Sequence, residues 1–528
     1  MRKRAKRSRS CLLLLLTAML TVVANFIVVP GADAATPKAA AGTPVYGGTL
    51  TEMVPQANWS SLDPATDPQS AENQYFEEAI YGQLFEWGPN GSIVGSEASG
   101  YKFSNGNKTV DISIRHGIKF SNGDPFNAKA VTESIQRDIL PKTGCECLTN
   151  FLGVKSVQAI GQYDVRLQMK TVESNIISLF PDEAPDYTTD PTALAKMGAV
   201  AYGKKPVGAG PFTVVSEQPN TQVTLVKNPD YFLKGRPYLS GLKIVATTTD
   251  QSDFESLQAG QAQLALVSTP QIWVQAGKTP GLTHIKFPAT TPYFVKFDTR
   301  IAPFNNPKAR EAVAYATNAA AVVKTLYDNV YTPVEGVEAP GQAFYAKNVP
   351  GYIPFNLNKA KQLVKQIGGL KFTISTSTSP VNQEEAQEWQ QQWDAAGMQA
   401  TLLPGVTLAT FLSDFANHKP FNAWPGQWNC APDPGDCDNE IIASNGGYSG
   451  DNDTGIDKLL AKGTAVVGDQ SRAKVYLQVN ERLDKTAEIV PLYGKPQIYI
   501  ATSNVKGIDT NVPSPVQYTG WDNVWLAK

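Results

Sequence analysis

Val110-Asp-Ile-Ser-Ile-Arg-His-Gly-Ile-Lys-Phe-Ser-Asn-Gly-Asp-Pro-Phe-Asn-Ala128 is the stretch on which the reading of this chain turns. Its first part alternates apolar Val110, Ile112 and Ile114 with polar neighbours, the period of two that marks a half-buried strand. The second part changes character. Ser121-Asn-Gly-Asp-Pro125 places a glycine that can take positive φ before a proline that fixes the next element, which predicts a turn, and Asn127 is then positioned to cap a helix. Strand, turn and capped helix in close succession describe a scaffold rather than a ligand-contacting loop.

Working outward, the same alternation recurs at Val165, Leu167 and Met169 and at Val223 and Leu225. Asn306-Pro307 predicts the cap and first turn of a helix over Lys308 to Leu326, and Asn358 the cap of one that stops at Gly368-Gly369. Val475, Val479 and Leu483 mark another helix by their spacing of four. Strands and helices interspersed without a strict βαβ rhythm give a mixed α/β class. The chain has 528 residues, 42% hydrophobic and 18% charged, with 42 glycines and 37 prolines. That length predicts two or three domains with substantial cores, and the composition excludes a small disulfide scaffold, a disordered chain and a coiled coil.

The N-terminus is read separately. Arg2, Lys3, Arg4, Lys6, Arg7 and Arg9 precede an apolar stretch from Cys11 to Val29, then Pro30-Gly31 and the small-x-small triplet Ala32-Asp-Ala34. This pattern predicts a cleavable secretory signal over residues 1–34, and a chain exported from the cytoplasm that begins at Ala35. An uncleaved anchor helix is the alternative, since the apolar stretch could nearly span a bilayer. Residues 35–47, rich in Ala, Thr, Pro and Gly, predict a flexible leader. Removing six basic residues and one acid with the signal leaves 40 basic against 47 acidic groups, which argues against nucleic acid or an anionic membrane as a partner.

Four cysteines remain beyond Cys11: Cys145, Cys147, Cys430 and Cys437. In an exported chain the even number predicts disulfides. Two local bridges are the simplest of three connectivities: Cys430–Cys437 around a turn forced by two prolines and a glycine, and Cys145–Cys147 across a single residue. No metal site is expected, because neither CxxC-like spacing nor a nearby histidine is present, and no cofactor motif occurs. Gly208-Ala-Gly-Pro211 lacks the lysine and Ser/Thr of a phosphate loop and predicts a chain crossover leading into a strand. Asp451-Asn-Asp-Thr-Gly455 departs from a calcium loop, with its glycine one place early and Lys462 where a bidentate Glu belongs, so it predicts a helix-starting turn. Only His116, His284 and His418 could serve a hydrolase, and none has a patterned acidic or nucleophilic neighbour, so the chain is not expected to be an enzyme.

Several stretches together resemble the extracytoplasmic solute-binding proteins of ABC transporters, in the family of oligopeptide-, dipeptide- and nickel-binding proteins. They run in order: Gly47-Gly-Thr-Leu50, Ser61-Leu-Asp-Pro64, Tyr81-Gly-Gln-Leu-Phe85, the Val110–Ala128 stretch, Pro206-Val-Gly-Ala-Gly-Pro-Phe212, Asn228-Pro-Asp-Tyr-Phe232 and Arg236-Pro-Tyr-Leu239. Pro303-Phe-Asn-Asn306 with Ala309-Arg-Glu-Ala312, and Ile489-Val-Pro-Leu-Tyr493, complete the set. The resemblance implies a two-lobed periplasmic-binding-protein-like fold (type II, with an inserted subdomain) that closes on a solute in the interlobe cleft. It implies a monomer that delivers a small molecule or peptide to a membrane permease. Carried over, the core of lobe 1 is 48–85, 200–288 and 491–528, its inserted subdomain 86–199, and lobe 2 289–490.

The richest candidate for solute contact is Trp424-Pro-Gly-Gln-Trp-Asn-Cys-Ala-Pro-Asp-Pro-Gly-Asp-Cys437. Here Trp424, Gln427, Trp428, Asn429, Asp433 and Asp436 combine stacking rings, amides and acids in one segment that a disulfide would hold, or else form a rigid surface loop with buried tryptophans. In peptide-binding relatives a tryptophan at this place is followed three positions later by an aspartate that pairs with the ligand's α-ammonium; here Ala431 stands at that distance from Trp428, which leaves that pairing to Asp433 or Asp436 if the rearranged loop brings either there. Position alone adds Gln69, Ser70, Ala71, Ser268, Thr269 and Tyr293. A peptide is the first expectation for the solute and an oligosaccharide, gripped by stacking, the second. A secreted ligand-binding sensor using the same cleft is the alternative to transport.

Overall fold

A computed structural model of the chain describes residues 26–27, 42–55, 59–66, 76–143, 145–181, 183–416, 422–427, 432–446, 449–513 and 520–528. Three sheets carry the fold. The first has seven strands in the order Leu282–Lys286, Ile498–Thr502, Leu264–Val267, Thr49–Pro55, Gly241–Thr247, Gln222–Lys227 and Phe212–Gln218. Thr49–Pro55 runs parallel to both of its neighbours, with Leu50, Glu52 and Val54 fully buried on one face and Thr51, Met53 and Pro55 half-buried on the other.

The second sheet is antiparallel throughout and holds Ala98–Ser104, Thr109–Ile114, Asp164–Met169 and Val154–Ala159. The alternation predicted for Val110, Ile112, Ile114, Val165, Leu167 and Met169 is observed, with all six buried on one face against the helix Ala128–Asp138. Phe26–Ile27 pairs with this sheet at Tyr101–Lys102; the rest of the predicted signal lies outside the described residues. The leader is tied down at its end, where the Gly47 amide donates to the Tyr238 carbonyl (2.9 Å) and the Tyr46 ring meets that of Tyr238.

The third sheet orders Thr332–Pro333, Ile489–Lys495, Thr291–Phe297, Ala423–Gln427, Lys371–Ile374 and Gln399–Leu402. The chain therefore passes between the seven- and six-stranded sheets twice, at 287–290 and again at 496–497. The two crossings touch: the Phe287 amide donates to the Gln497 carbonyl (3.0 Å). Among the described residues no helix is long and apolar enough to cross a membrane.

Helix caps follow the local sequence with two corrections. Asn127 Oδ1 accepts from the amides of Lys129 and Ala130 (3.0 and 3.1 Å), as expected of a cap. The helix expected over 308–326 is two, Pro307–Ala316 and Ala319–Leu326. Thr317 leaves helical geometry (ψ 116°), its hydroxyl takes a bond from the Trp393 indole, and Asn318 caps the second helix through the Ala321 amide. The next helix, Leu357–Gln366, is capped by Asn356 rather than Asn358, because Asn356 Oδ1 is the acceptor for the Lys359 amide (3.0 Å). Cys145 and Cys147 are bridged.

Candidate functional site

The turn Ser121–Pro125 is structural. The Gly123 amide donates to the Phe120 carbonyl (2.8 Å) and the Phe120 amide to the Asp124 carbonyl (2.9 Å), Gly123 has φ +91°, and Asn122 reaches Asp190 (2.7 Å). Arg115, the cation of the stretch, donates Nε to the Ser96 carbonyl (2.5 Å), bracing the neighbouring turn. The glycine-rich segment is the crossover expected of it: the amides of Ala209 and Gly210 donate to the carbonyls of Tyr81 and Ile80, directly beneath the helix Glu77–Tyr81. Asp453 caps the helix Thr454–Ala465 and pairs with Arg482 (2.6 and 2.7 Å), while Asp451 binds Lys296. The acids of the calcium-like stretch thus serve a helix start and a buried ion pair. His116 stacks on Tyr163 and His284 on Trp273 (both 4.0 Å between centroids); His418 lies outside the described residues.

Where the two large sheets meet, side chains from distant parts of the chain converge. Tyr293 stacks on Tyr493 (4.7 Å) and faces Tyr331, which in turn stacks on Tyr327 (4.2 Å). Glu385 lies beneath them, accepting from the Tyr327 and Tyr493 hydroxyls and from the Trp389 indole. Burial holds the Glu385 carboxyl above its usual range and the Tyr293 phenol well above its own. On the seven-stranded side, Ser268 and Thr269 lie exposed at the end of Leu264–Val267, with both amides donating to Asp250 Oδ2 (2.8 and 2.7 Å). Asp250 in turn contributes to raising the Tyr331 phenol, after burial and Glu385, so these two groups share one junction.

The tryptophan-rich segment divides. Trp424 lies in the strand Ala423–Gln427, opposite Lys296, and its ring is only 6% exposed, packed edge-on against Phe415 (5.1 Å) and Phe411 (5.9 Å). A ring so enclosed fills core and offers no face to a solute. Gln427, at the strand's end opposite Tyr293, is exposed. Trp428, Asn429 and Cys430 lie outside the described residues, as do Gln69, Ser70 and Ala71. Asp436 and Cys437 fall in the helix Gly435–Ile441, where their side chains are likewise outside them.

Asp433 is described fully, and it is not a free anion. Both its oxygens are gripped by the Arg472 guanidinium (Nη2 to Oδ1, 2.8 Å; Nη1 to Oδ2), Oδ1 also accepts from the Gly435 amide (3.0 Å), and Oδ2 accepts from the Ser178 hydroxyl (3.0 Å). A carboxylate already held by a buried forked cation has little left for a second one. Arg472 and Ser178 escaped the sequence reading because each meets Asp433 from a separate element, 39 and 255 positions away. The tyrosine cluster escaped it for the same reason.

Comparison with known proteins agrees with this architecture. The model of the bacterial extracellular solute-binding proteins, family 5 (middle region), matches residues 92–450. The glutathione-binding protein GsiB of Salmonella typhimurium is 27% identical over 350 residues, covering 66% of this chain and 67% of the relative. Among solved structures, the ABC transporter substrate-binding protein CtaP of Listeria monocytogenes superposes with a TM-score of 0.81 at 20% identity, over 92% of this chain and all of that one. DppA of Helicobacter pylori, solved with the peptide STSA, gives 0.73 at 22% identity, over 92% of this chain and 99% of that one. With the fold shared over 92% of the chain and the family match running from residue 92 through Trp424 to Gly450, the chain belongs to the bacterial extracellular solute-binding proteins of family 5.

Proposed function

We propose that the chain is the extracytoplasmic solute-binding component of an ABC importer, which captures a peptide by closing its lobes and hands it to a membrane permease. The observation that carries this is the pair of touching crossings at 287–290 and 496–497. Two bodies joined by two adjacent strands can rotate about them, and ligands shift such a pair toward the closed state in proportion to their differential affinity. Lobe 1 then comprises the seven-stranded sheet with the antiparallel sheet inserted in it, and lobe 2 the six-stranded sheet. The second boundary falls after Lys495 rather than at 490, since Ile489–Lys495 belongs to the six-stranded sheet.

A peptide is favoured because relatives across the fold are named for peptides or glutathione, and because Tyr293, Gln427, Ser268 and Thr269 lie near the two crossings. Trp428, Asn429, Gln69 and Ser70 join them in this reading. Ala431 stands at the place of the relatives' α-ammonium anchor and Asp433 is bound to Arg472, so neither supplies it in this reading. The chain acts as a monomer, without catalysis, after export and cleavage before Ala35.

The test is a thermal-shift screen of residues 35–528 in oxidising buffer against glutathione, di- to octapeptides, N-acetylated peptides and oligosaccharides. A ligand at 100 times its Kd stabilises the folded chain by about 2.7 kcal/mol, a readily measured rise in melting temperature. The expected result is a rise with peptides that survives N-acetylation. A rise with sugars alone overturns the peptide reading, and chemical conversion of any bound solute overturns the binding-protein reading.

A further inference from the structure

The inserted subdomain does more than decorate lobe 1, because its far edge is bonded to lobe 2. In the segment after its last strand, the Ser174 amide donates to the Thr464 carbonyl (2.8 Å) and Ser178, 8% exposed, donates to Asp433 Oδ2 (3.0 Å). Thr464 lies in the last turn of the helix Thr454–Ala465, where carbonyls have no partner within the helix, so Ser174 supplies from the other lobe a cap the helix lacks. Arg472 binds the two halves of this contact surface together. Its fork holds Asp433 and its Nε donates to the Gly463 carbonyl (3.2 Å), while its plane lies over the Phe344 ring (4.9 Å). A third contact adds no bond but admits no bulk: a Cβ on Gly91 of the inserted subdomain would come within 3.0 Å of Pro432 and 3.1 Å of the Ala343 amide.

The geometry points to an interlobe latch in which Ser174 and Ser178 seat the inserted subdomain on the Arg472–Asp433 pair, so that this contact as well as the hinge sets the closed population. Ser178 and Asp433 each keep a bond when the latch parts. The Ser178 hydroxyl has the Asn175 carbonyl within 2.7 Å, and Asp433 retains Arg472 and the Gly435 amide. Opening therefore strands no buried charge, and the latch is reversible. Arg472 acts as a positioning residue: it holds Asp433 and Gly463 where the serines meet them and needs no contact with the solute.

This inference rests on the two-lobed reading above but requires no ligand, so its test is hydrogen–deuterium exchange on the ligand-free full chain. Ser178→Ala removes one cross-lobe bond, and Gly91→Ala wedges the surface from a different element. Each is expected to raise the exchange rate of the Ser174 amide roughly tenfold, the factor that corresponds to about 1.4 kcal/mol, while amides of Thr291–Phe297 are unchanged. Unchanged exchange at Ser174 in both variants overturns the latch. So does equal acceleration at both places, which would mean only a less stable fold. A chain that shows the expected exchange yet binds no peptide refutes the proposed solute and leaves the latch standing.

Discussion

Lys296, next to last in the strand Thr291–Phe297, is fully buried, with its ammonium bonded to the equally buried Asp451, whose second oxygen takes the Thr299 hydroxyl (2.9 Å). Desolvation pushes the Asp451 carboxyl up and Lys296 pulls it back, so the acid stays worth ionising only while its partner is present. Asp451→Ala leaves a buried, unpaired ammonium and is expected to destabilise the fold by about 3–5 kcal/mol. Asp111→Ala, which breaks the surface pair with Arg166, is expected to cost far less. Urea unfolding of both variants checks the ranking, and equal losses would mean Lys296 finds another acceptor. The contrast also marks what a sequence can show at this scale. Asn127 was legible as a cap, and Asp451–Gly455 as a helix start, because the acceptors of Asn127 and Asp453 meet amides two or three residues on. Lys296 and Asp451 lie 155 residues apart, and nothing local to either announces the other.

Elements were legible where period and punctuation agreed and were misjudged where a tertiary contact overrode propensity. The alternating strands 109–114, 164–169 and 222–227 needed only one wet face to declare themselves. The helix broken at Thr317 did not, because Ala- and Val-rich sequence runs through the break and the Trp393 bond that stabilises it comes from elsewhere. Trp424 shows a similar limit: a tryptophan beside a turn reads equally as a cleft wall or a core ring, and the packing of Phe411 and Phe415 on it is not announced locally. The glycine crossover was legible in kind, and its tightness can be tested. A Cβ on Gly210 would lie 2.6 Å from the Gly82 nitrogen and 2.7 Å from the Ile80 carbonyl carbon, backbone atoms of the helix above that cannot rotate away. Gly210→Ala is expected to destabilise by about 3 kcal/mol or more, the upper range for forced overpacking. Gly123→Ala, with open space around it but φ +91°, is expected to show only the strain of that backbone, about 1–2 kcal/mol. Similar losses at the two sites would mean the helix Glu77–Tyr81 shifts to make room.

For the molecule as a whole, the mixed α/β fold of two-lobed binding proteins followed from the resemblance, whereas the bonds made by single serines and carbonyls between distant segments were invisible to it, since no motif encodes them. The same lobes bury an unusual set of acids. Burial raises Glu86, Glu338 and Glu488 to about 7 and Asp484 to about 8, the last helped by Glu335 and Glu338. In the unfolded chain such carboxyls lose their protons near pH 4. Between these values the folded chain holds more protons than the unfolded one, so the stability these groups contribute is complete below pH 4 and is lost as pH rises toward 8. Asp453, held low by Arg482 against the effect of burial, acts in the opposite sense only at more acid pH. The melting temperature is therefore expected to be higher at pH 5.5 than at pH 8. Glu338 is the place to test the cause. It accepts from Asn480 (2.6 Å) and faces the carboxyls of Asp438 and Asp484, so its own ionisation adds a like charge to both. Glu338→Gln keeps the acceptor for Asn480 and removes that titration, and it is expected to flatten the fall in melting temperature between pH 5.5 and 8. A slope unchanged by the substitution would mean that Glu338 is already ionised at pH 5.5, with the proton of this cluster held by Asp438 or Asp484 instead.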